Sequence, residues 1–306
     1  MQLRSYAVSA DTILIVGGSG TLGSLVAREL LADGEPVRVM TRRPESMEWA
    51  RVAGAEVIAG DVLDQSAVQR ACTGARAVVC AAHSILGRGR NASAHVDGSG
   101  HRHLIDIAKS SGARHIVYTS VHSPSPAYQS VPFFRIKQQV EQHLQDSGIS
   151  YTILRPSAFM DFHAHHLIGE PVLTGRKVMV FGAGTRPRNF VAAQDVAGFV
   201  GRALRDPSLA GETITIGGPQ NLSTLDVVKV YERHAGRKAR VTRLPLAVAR
   251  TASALARGVH PGVSQILQMA VLADTVDEPF DSRPLEARFH EKLLDLDTWV
   301  SQHLNQ

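Results

Sequence analysis

The run Gly17-Gly-Ser-Gly20-Thr-Leu-Gly23 constrains this chain more than any other feature, because of what stands on either side of it. An unbroken apolar segment, Ile13 to Val16, leads directly into it, and Leu22, Leu25, Val26 and Leu30 follow at helical spacing until Asp33-Gly34. That context predicts a buried strand, a tight glycine turn and a helix from about Gly20 to Leu31. Each glycine has a physical task. Gly17 permits the turn, Gly20 lets backbone approach a bound group, and Gly23 lets the helix pack closely on the sheet.

Further strand-like runs alternate with helical patterns: Val37 to Met40, Glu56 to Ile58, Ala77 to Ala81, His115 to Thr119 and Tyr151 to Leu154. Several lack apolar/polar alternation, as strands do when helices cover both faces of a parallel sheet. The expected fold is therefore α/β, a doubly wound parallel sheet of the Rossmann type with a smaller, helix-rich C-terminal lobe. We expect residues 1–156 to form the nucleotide-binding domain and 157–306 mainly a substrate lobe, some of whose segments return to the sheet. Past Pro156 the alternation weakens. One more strand signal, Thr213 to Ile216, precedes Ser223 and Thr224, either of which can cap a helix containing Val227, Val228 and Tyr231.

A glycine turn opening a helix presents free backbone N–H groups and the positive end of the helix dipole, which suits the pyrophosphate of a dinucleotide. Ser19, Thr21 and Leu22 belong to the same loop and are expected to border it. The alternative is a glycine-rich turn with no ligand. Cofactor choice turns on the end of the second strand, where an acidic residue would hold the ribose hydroxyls of NAD. Here the chain reads Thr41-Arg42-Arg43, and guanidinium groups pair with a 2′-phosphate, so NADP(H) is expected over NAD(H). The competing view is that both arginines are solvated loop residues. Asp61, followed by Val62, is expected either to face the adenine or to cap a helix, and the small Ala81 and Ala82, with His83, follow the fourth strand where the cofactor should pass.

Composition excludes several classes. Hydrophobic residues make up 44% and charged residues 20% of the 306, which suits a folded soluble chain. The net charge of +5 is scattered and forms no basic run, so no nucleic-acid partner is expected. Cys72 and Cys80 are too few for a disulfide framework and read as small buried hydrophobes. No apolar leader is visible at the start, and Pro245, Arg250, Arg257, His260 and Pro261 interrupt the apolar stretch 244–274 before a span of roughly 20 residues is reached. The expectation is a cytoplasmic protein without a membrane span, whose partner is a small-molecule substrate. Oligomeric state leaves no mark on the sequence.

The loop, Gly60-Asp61-Val62, His115-Ile-Val-Tyr-Thr-Ser120, Phe133-Phe-Arg-Ile-Lys137 with Glu141, and Tyr151-Thr-Ile-Leu-Arg-Pro156 together resemble the atypical short-chain dehydrogenase/reductase superfamily, specifically NmrA-like NAD(P)-binding proteins. The resemblance covers most of the chain, and Asn189-Phe-Val191 with Asp195-Val-Ala197 resembles the segment where the family's substrate lobe meets the core. In the catalytic branches a Tyr four residues before a Lys handles a proton, the Lys holds the nicotinamide ribose, and a Ser or Thr positions the carbonyl. Lys137 matches the lysine, while Phe133 stands where the Tyr belongs and has no proton to give. Branches resembling isoflavone and quinone reductases lack that Tyr and still reduce substrates.

Three functions follow from the resemblance: an NADP(H)-dependent reductase of a quinone-like, enone or carbonyl substrate, a cofactor-sensing regulator, and a structural accessory subunit. For the first, Lys137, Ser120 and His122 are the candidate catalytic residues, and Tyr128 a substitute acid of unfixed direction. The alternative for Lys137 is an exposed lysine paired with Glu141 at i+4. The resemblance also places Pro156 beside the nicotinamide, and Phe133, Phe159, Met160 and Phe162 at the substrate, the last three as one apolar wall. His163 and His166 would share a helix face and His165 point elsewhere, but no further ligands follow at convincing spacing, so no metal is expected.

Overall fold

The computed structural model describes residues 11–123 and 125–304; the start of the chain, on which the absence of a leader was read, lies outside them. Six strands follow the expected runs: β1 (Thr12–Val16), β2 (Val37–Thr41), β3 (Glu56–Ala59), β4 (Ala75–Cys80), β5 (His115–Thr119) and β6 (Ser150–Pro156). With the strand Thr213–Ile216 they form one parallel sheet, in the order Thr213–Ile216, β6, β5, β4, β1, β2, β3. Strand order reverses between β1 and β4, which opens a crevice at their C-terminal ends.

All five residues of β1 and of β2 are buried, which explains their lack of alternation. Ile13 and Ile15 face a core built with Val26 and Leu30 of helix α1 (Thr21–Ala32) and with Val196, Phe199 and Val200 of the helix Ala193–Arg205. Leu14 and Val16 face the opposite core, with Leu104, Ile105, Val140 and Leu144. The second half of the chain thus contributes both a sheet strand and a helix that covers one sheet face. A third core gathers Met160, Ile168, Val178, Phe190, Val228, Tyr231 and Trp299 beside the crevice.

The apolar stretch 244–274 forms two helices, Leu246–Val259 and Pro261–Thr275, which pack on each other. Pro261 cannot continue the first helix, and the side chain of His260 caps the second by accepting from Val263 N–H at 3.2 Å. Ser253 and Ser264 exchange buried hydroxyl-to-carbonyl bonds at 3.0 and 2.8 Å across the pair. Among the described residues no helix is long and apolar enough to cross a membrane.

Ser223 is the cap of the helix Thr224–Ala235: its hydroxyl accepts from Asp226 N–H at 3.1 Å while the Asp226 carboxylate accepts from Ser223 N–H at 3.2 Å. Ser223→Ala removes the acceptor of the Asp226 N–H while keeping the backbone bond to the Asp226 carboxylate, and is expected to lower the unfolding free energy by about 1 kcal/mol. Urea denaturation followed by circular dichroism checks this, and an unchanged midpoint contradicts it.

Candidate active site

The glycine loop sits at the crevice floor. Gly17 has φ of +91°, and a Cβ on it would lie 2.6 Å from the backbone of Ala82, so the turn after β4 closes directly on it. A Cβ on Gly23 would lie 2.4 Å from the Gly17 carbonyl oxygen, which seats the first turn of α1 against the loop. Gly20 differs: a Cβ there would meet only the Gly17 oxygen, at 3.3 Å, and the residue is exposed. It begins α1 without a side-chain cap, and no acidic residue occupies the first turn. The first N–H groups of α1 therefore face the crevice with no internal acceptor, which fits an anion such as a dinucleotide pyrophosphate.

Ser19 and Thr41 join hydroxyls at 2.7 Å and tie the loop to the end of β2, while exposed Thr21 leaves the loop edge open. Leu22 turns into the core instead, so its backbone is what faces the crevice. Arg42 and Arg43 are exposed just past β2, and Arg42 reaches Asn91 Oδ1 at 3.4 Å. Asp61 closes a local turn by accepting from Leu63 N–H at 3.0 Å and caps no helix; Asp64 caps the following one. Val62, 6% exposed, packs in the core, so its side chain does not line the crevice. Ala81 N–H donates to Val16 O at 3.0 Å, Ala82 lies under Gly17, and His83 is exposed.

Lys137, on the helix Pro132–Asp146, is 3% exposed. Its Nζ donates to Thr119 O at 3.0 Å, lies 3.7 Å from Asp97 Oδ1, and sits 4.9 Å from the centre of the Tyr118 ring. The expected alternative, a surface pair with Glu141, is not formed, because Glu141 turns to Arg155. Burial lowers the lysine pKa, and the charge of Asp97 partly offsets this. Asp97 itself is fully buried on a seven-residue π-helix, Ala94–Gly100, and its Oδ2 accepts from Ser84 N–H at 3.0 Å.

Around this pair the buried Oγ of Ser93, Nε2 of His101, OH of Tyr118, Oγ1 of Thr119 and Oγ of Ser120 have no hydrogen-bond partner among the described residues, nor has Asp97 Oδ1. Such groups are individually costly, so several from neighbouring elements mark where water or a ligand completes the bonding. His101 is pushed down to about 4 by burial and then by the charge of Lys137, which keeps its ring neutral. Ser120 is fixed by its N–H donating to Leu154 O at 2.7 Å, and its hydroxyl is one of the groups without a partner.

His122 N–H donates to Pro156 O at 2.8 Å, and its ring stands edge-on to Phe280 at 5.9 Å. Pro156 is buried at the end of β6. Phe133, 7% exposed, packs with Tyr128, Val131 and Phe134, and Met269 and Leu272 of the helix Pro261–Thr275 lie against this cluster. Its ring centre is 5.8 Å from Lys137 Nζ. Tyr128 is held in that cluster, tilted on Phe134 at 4.8 Å.

The single apolar wall expected of Phe159, Met160 and Phe162 is not formed. Met160, 1% exposed, opens the π-helix Met160–Gly169 pointing into the third core, Phe159 packs on the first, and Phe162 stacks on His166 at 5.6 Å. His163 stands edge-on to Phe162 at 5.2 Å, whereas His165 shares a 3.1 Å hydrogen bond with Tyr231 OH. Among the described residues no three His, Cys, Asp or Glu converge on a metal position.

Asp97, Tyr118 and His101 escaped the sequence reading. The signal for Asp97 and His101 is a charged residue in register with the buried Gly100 and Leu104, with His101 one turn beyond: polar groups on a face that the apolar spacing marks as internal, whereas Tyr118 sits inside the apolar run of β5.

The NmrA-like family model matches residues 9–301. The chloroplastic Arabidopsis thaliana protein High Chlorophyll Fluorescence Phenotype 244 is 33% identical over 254 residues, 82% of this chain but only 62% of that protein's length. The chloroplastic divinyl chlorophyllide a 8-vinyl-reductase of Oryza sativa subsp. indica is 31% identical over 284 residues, 85% of this chain and 68% of its own. An Escherichia coli NADPH-dependent quinone oxidoreductase, solved with NADPH, shares the fold with a TM-score of 0.73 over 96% of this chain and 100% of that one, at 22% identity. With that family match across a parallel sheet whose crevice carries the glycine loop, this chain belongs to the NmrA-like family of NAD(P)-binding Rossmann proteins.

Proposed function

We propose that the chain is an NADP(H)-dependent reductase that delivers hydride to a quinone-like, enone or carbonyl small molecule. The observation that carries this is Lys137, a lysine withdrawn from water and fixed between Thr119 O and Asp97 at the crevice. In this reading residues 1–156 hold the nucleotide and much of 157–306 forms the lobe over the substrate. Gly17, Ser19, Gly20, Thr21, Leu22 and Gly23 receive the pyrophosphate, largely through backbone, and Arg42 and Arg43 pair with the 2′-phosphate. Asp61, the backbone of Val62, Ala81, Ala82, His83 and Pro156 flank the nucleotide. A bound nicotinamide supplies the hydride.

The remaining chemistry belongs to the chain. Lys137 holds a ribose hydroxyl, and its buried charge favours negative charge developing on a substrate oxygen. The Ser120 hydroxyl, without an internal partner, is free to donate to that oxygen, and His122 borders the same end of the sheet. Phe133 supplies no proton, so the proton comes from the Lys137 ammonium, whose pKa burial has lowered, or from water that it orders. The same Phe133 favours a second reading, a sensor whose nucleotide occupancy alters affinity for a partner. The Arabidopsis relative is named for a phenotype and not a reaction.

Oxidation of NADPH in the presence of quinones, enones and aldehydes tests the reductase. We expect turnover with at least one class, and a fall of roughly 10²- to 10⁴-fold in kcat for Lys137→Ala together with weaker NADPH binding from the lost ribose contact. Unchanged turnover in that variant contradicts the role of Lys137, and tight NADPH binding without turnover on any acceptor selects the sensor.

Replacing Arg42 and Arg43 together by Ser should weaken NADPH roughly 10- to 100-fold, from the loss of charge-assisted hydrogen bonds, and leave NADH nearly unchanged. Equal weakening of both nucleotides contradicts the assignment. In Asp97→Asn the lysine loses its anionic partner, so its pKa falls further and the alkaline limb of the kcat/KM profile moves to lower pH. Breaking the buried pair should also cost about 3–5 kcal/mol of stability. A pH profile that stays in place contradicts the pairing.

A further inference from the structure

The short strand Arg188–Val191 runs between the strands Asn221–Leu222 and Ala158–Phe159 where the third core meets the sheet. Its polar side chains are treated unequally. The Asn189 amide donates to Gly218 O, Gln220 O and Asn221 Oδ1, and its oxygen accepts from Ser157 Oγ and Gly218 N–H. Arg186 pairs with Asp277 at 3.2 Å. Arg188 makes no hydrogen bond and no ion pair through its side chain among the described residues. Its Nε is shut off from solvent, and its contact is the ring of Phe190, 4.8 Å from Cζ.

Burial pushes this guanidinium down to about 10, so it keeps its charge at neutral pH. Glu278 bridges Arg188 through the backbone, yet the two side chains form no ion pair, and the buried Oε1 of Glu278 is itself without a partner. Arg188 as a whole is half-buried, so it is the Nε side that is cut off from water, and an aromatic face offsets only part of that lost hydration.

The strand carries this site to the C-terminal end of the sheet, because Phe190 and Val191 pair with Ala158 and Phe159, which directly follow β6, and Asn189 Oδ1 accepts from Ser157 Oγ at 2.8 Å. The charge of Arg188 reaches His163 on the π-helix Met160–Gly169: burial first and Arg188 second push that ring down to about 3, and His83, just past β4, adds to the effect. His163 lies on the π-helix that opens directly after the strand Ala158–Phe159, the ladder partner of the strand that carries Arg188. Across the loop after β4, a Cβ on Gly262 would lie 2.7 Å from Ile85 O, so the helix Pro261–Thr275 begins directly against it. That helix carries Met269 and Leu272 on to the Phe133 cluster.

We propose that Arg188 anchors an oxyanion of the substrate, a carboxylate or a phosphate ester, carried on a flat apolar molecule bound in this crevice. A guanidinium presents a planar donor fork that either group matches, and a neutral His163 can add one further hydrogen bond. The word substrate rests on the reductase reading, whereas the binding of the anion does not.

The test is calorimetric titration of the full chain, saturated with NADP⁺ so that the nucleotide's own phosphate positions are filled, with phenyl phosphate and with benzoate. These probes share a ring and differ in the anion. At least one should bind, and Arg188→Gln should weaken it roughly tenfold or more with NADP⁺ affinity unchanged. Arg188→Lys keeps the charge without the fork, and should lie between the two.

Binding of phenyl phosphate alone assigns a phosphate ester, and of benzoate alone a carboxylate. If neither probe binds, or if the variants bind as the parent does, the anchor is overturned. Should Arg188→Gln fail to fold, Arg188→Lys decides: undiminished affinity overturns the proposal and weakened affinity supports it. Turnover of a neutral quinone with no probe binding removes the anchor and leaves the reductase, while probe binding without any turnover does the reverse.

Discussion

The structure around the crevice depends on keeping one ammonium group charged inside the protein. Lys137 has given up its hydration, and what it receives is one carbonyl bond, from Thr119, and one carboxylate at 3.7 Å, Asp97. A buried charge is tolerable only when its partners are held in place. That requirement links the end of β5, the helix Pro132–Asp146, the π-helix Ala94–Gly100 and Ser84 in the loop after β4. These elements meet at the C-terminal ends of β4 and β5, beside the point where strand order reverses.

The glycine loop supplies the complementary half. Gly17 and Gly23 allow backbone to approach so closely that no side chain fits, and Gly20 leaves the N-terminus of α1 open. One end of the crevice thus offers unpaired N–H groups, and the other a lysine ringed by polar atoms without partners. Phe133 keeps the ground between Lys137 and the helix Pro261–Thr275 apolar. Where the resemblance implies a tyrosine, Phe133 brings no ionisable proton to the crevice.

What could be read from the sequence followed periodicity and turn chemistry. The strands, α1 and the Ser223 cap rest on local patterns whose spacing matches the structure within a residue or two. The crevice was legible where a motif sits in one contiguous segment, as the glycine loop does. Asp97 was hidden because it meets Lys137 only after residues forty positions apart are brought together. Met160 misled because its side chain is taken up by the third core, while Phe159 packs on the first core and Phe162 on His166. Arg188 stands out only when its neighbours' hydrogen bonds are known.

The account's central claim is that this crevice is a nicotinamide nucleotide site, and calorimetric titration of the purified chain with NADPH and with NADH tests it most directly. The account predicts saturable binding of NADPH at one site per chain, micromolar or tighter, with NADH clearly weaker. Absence of binding by either nucleotide would contradict it.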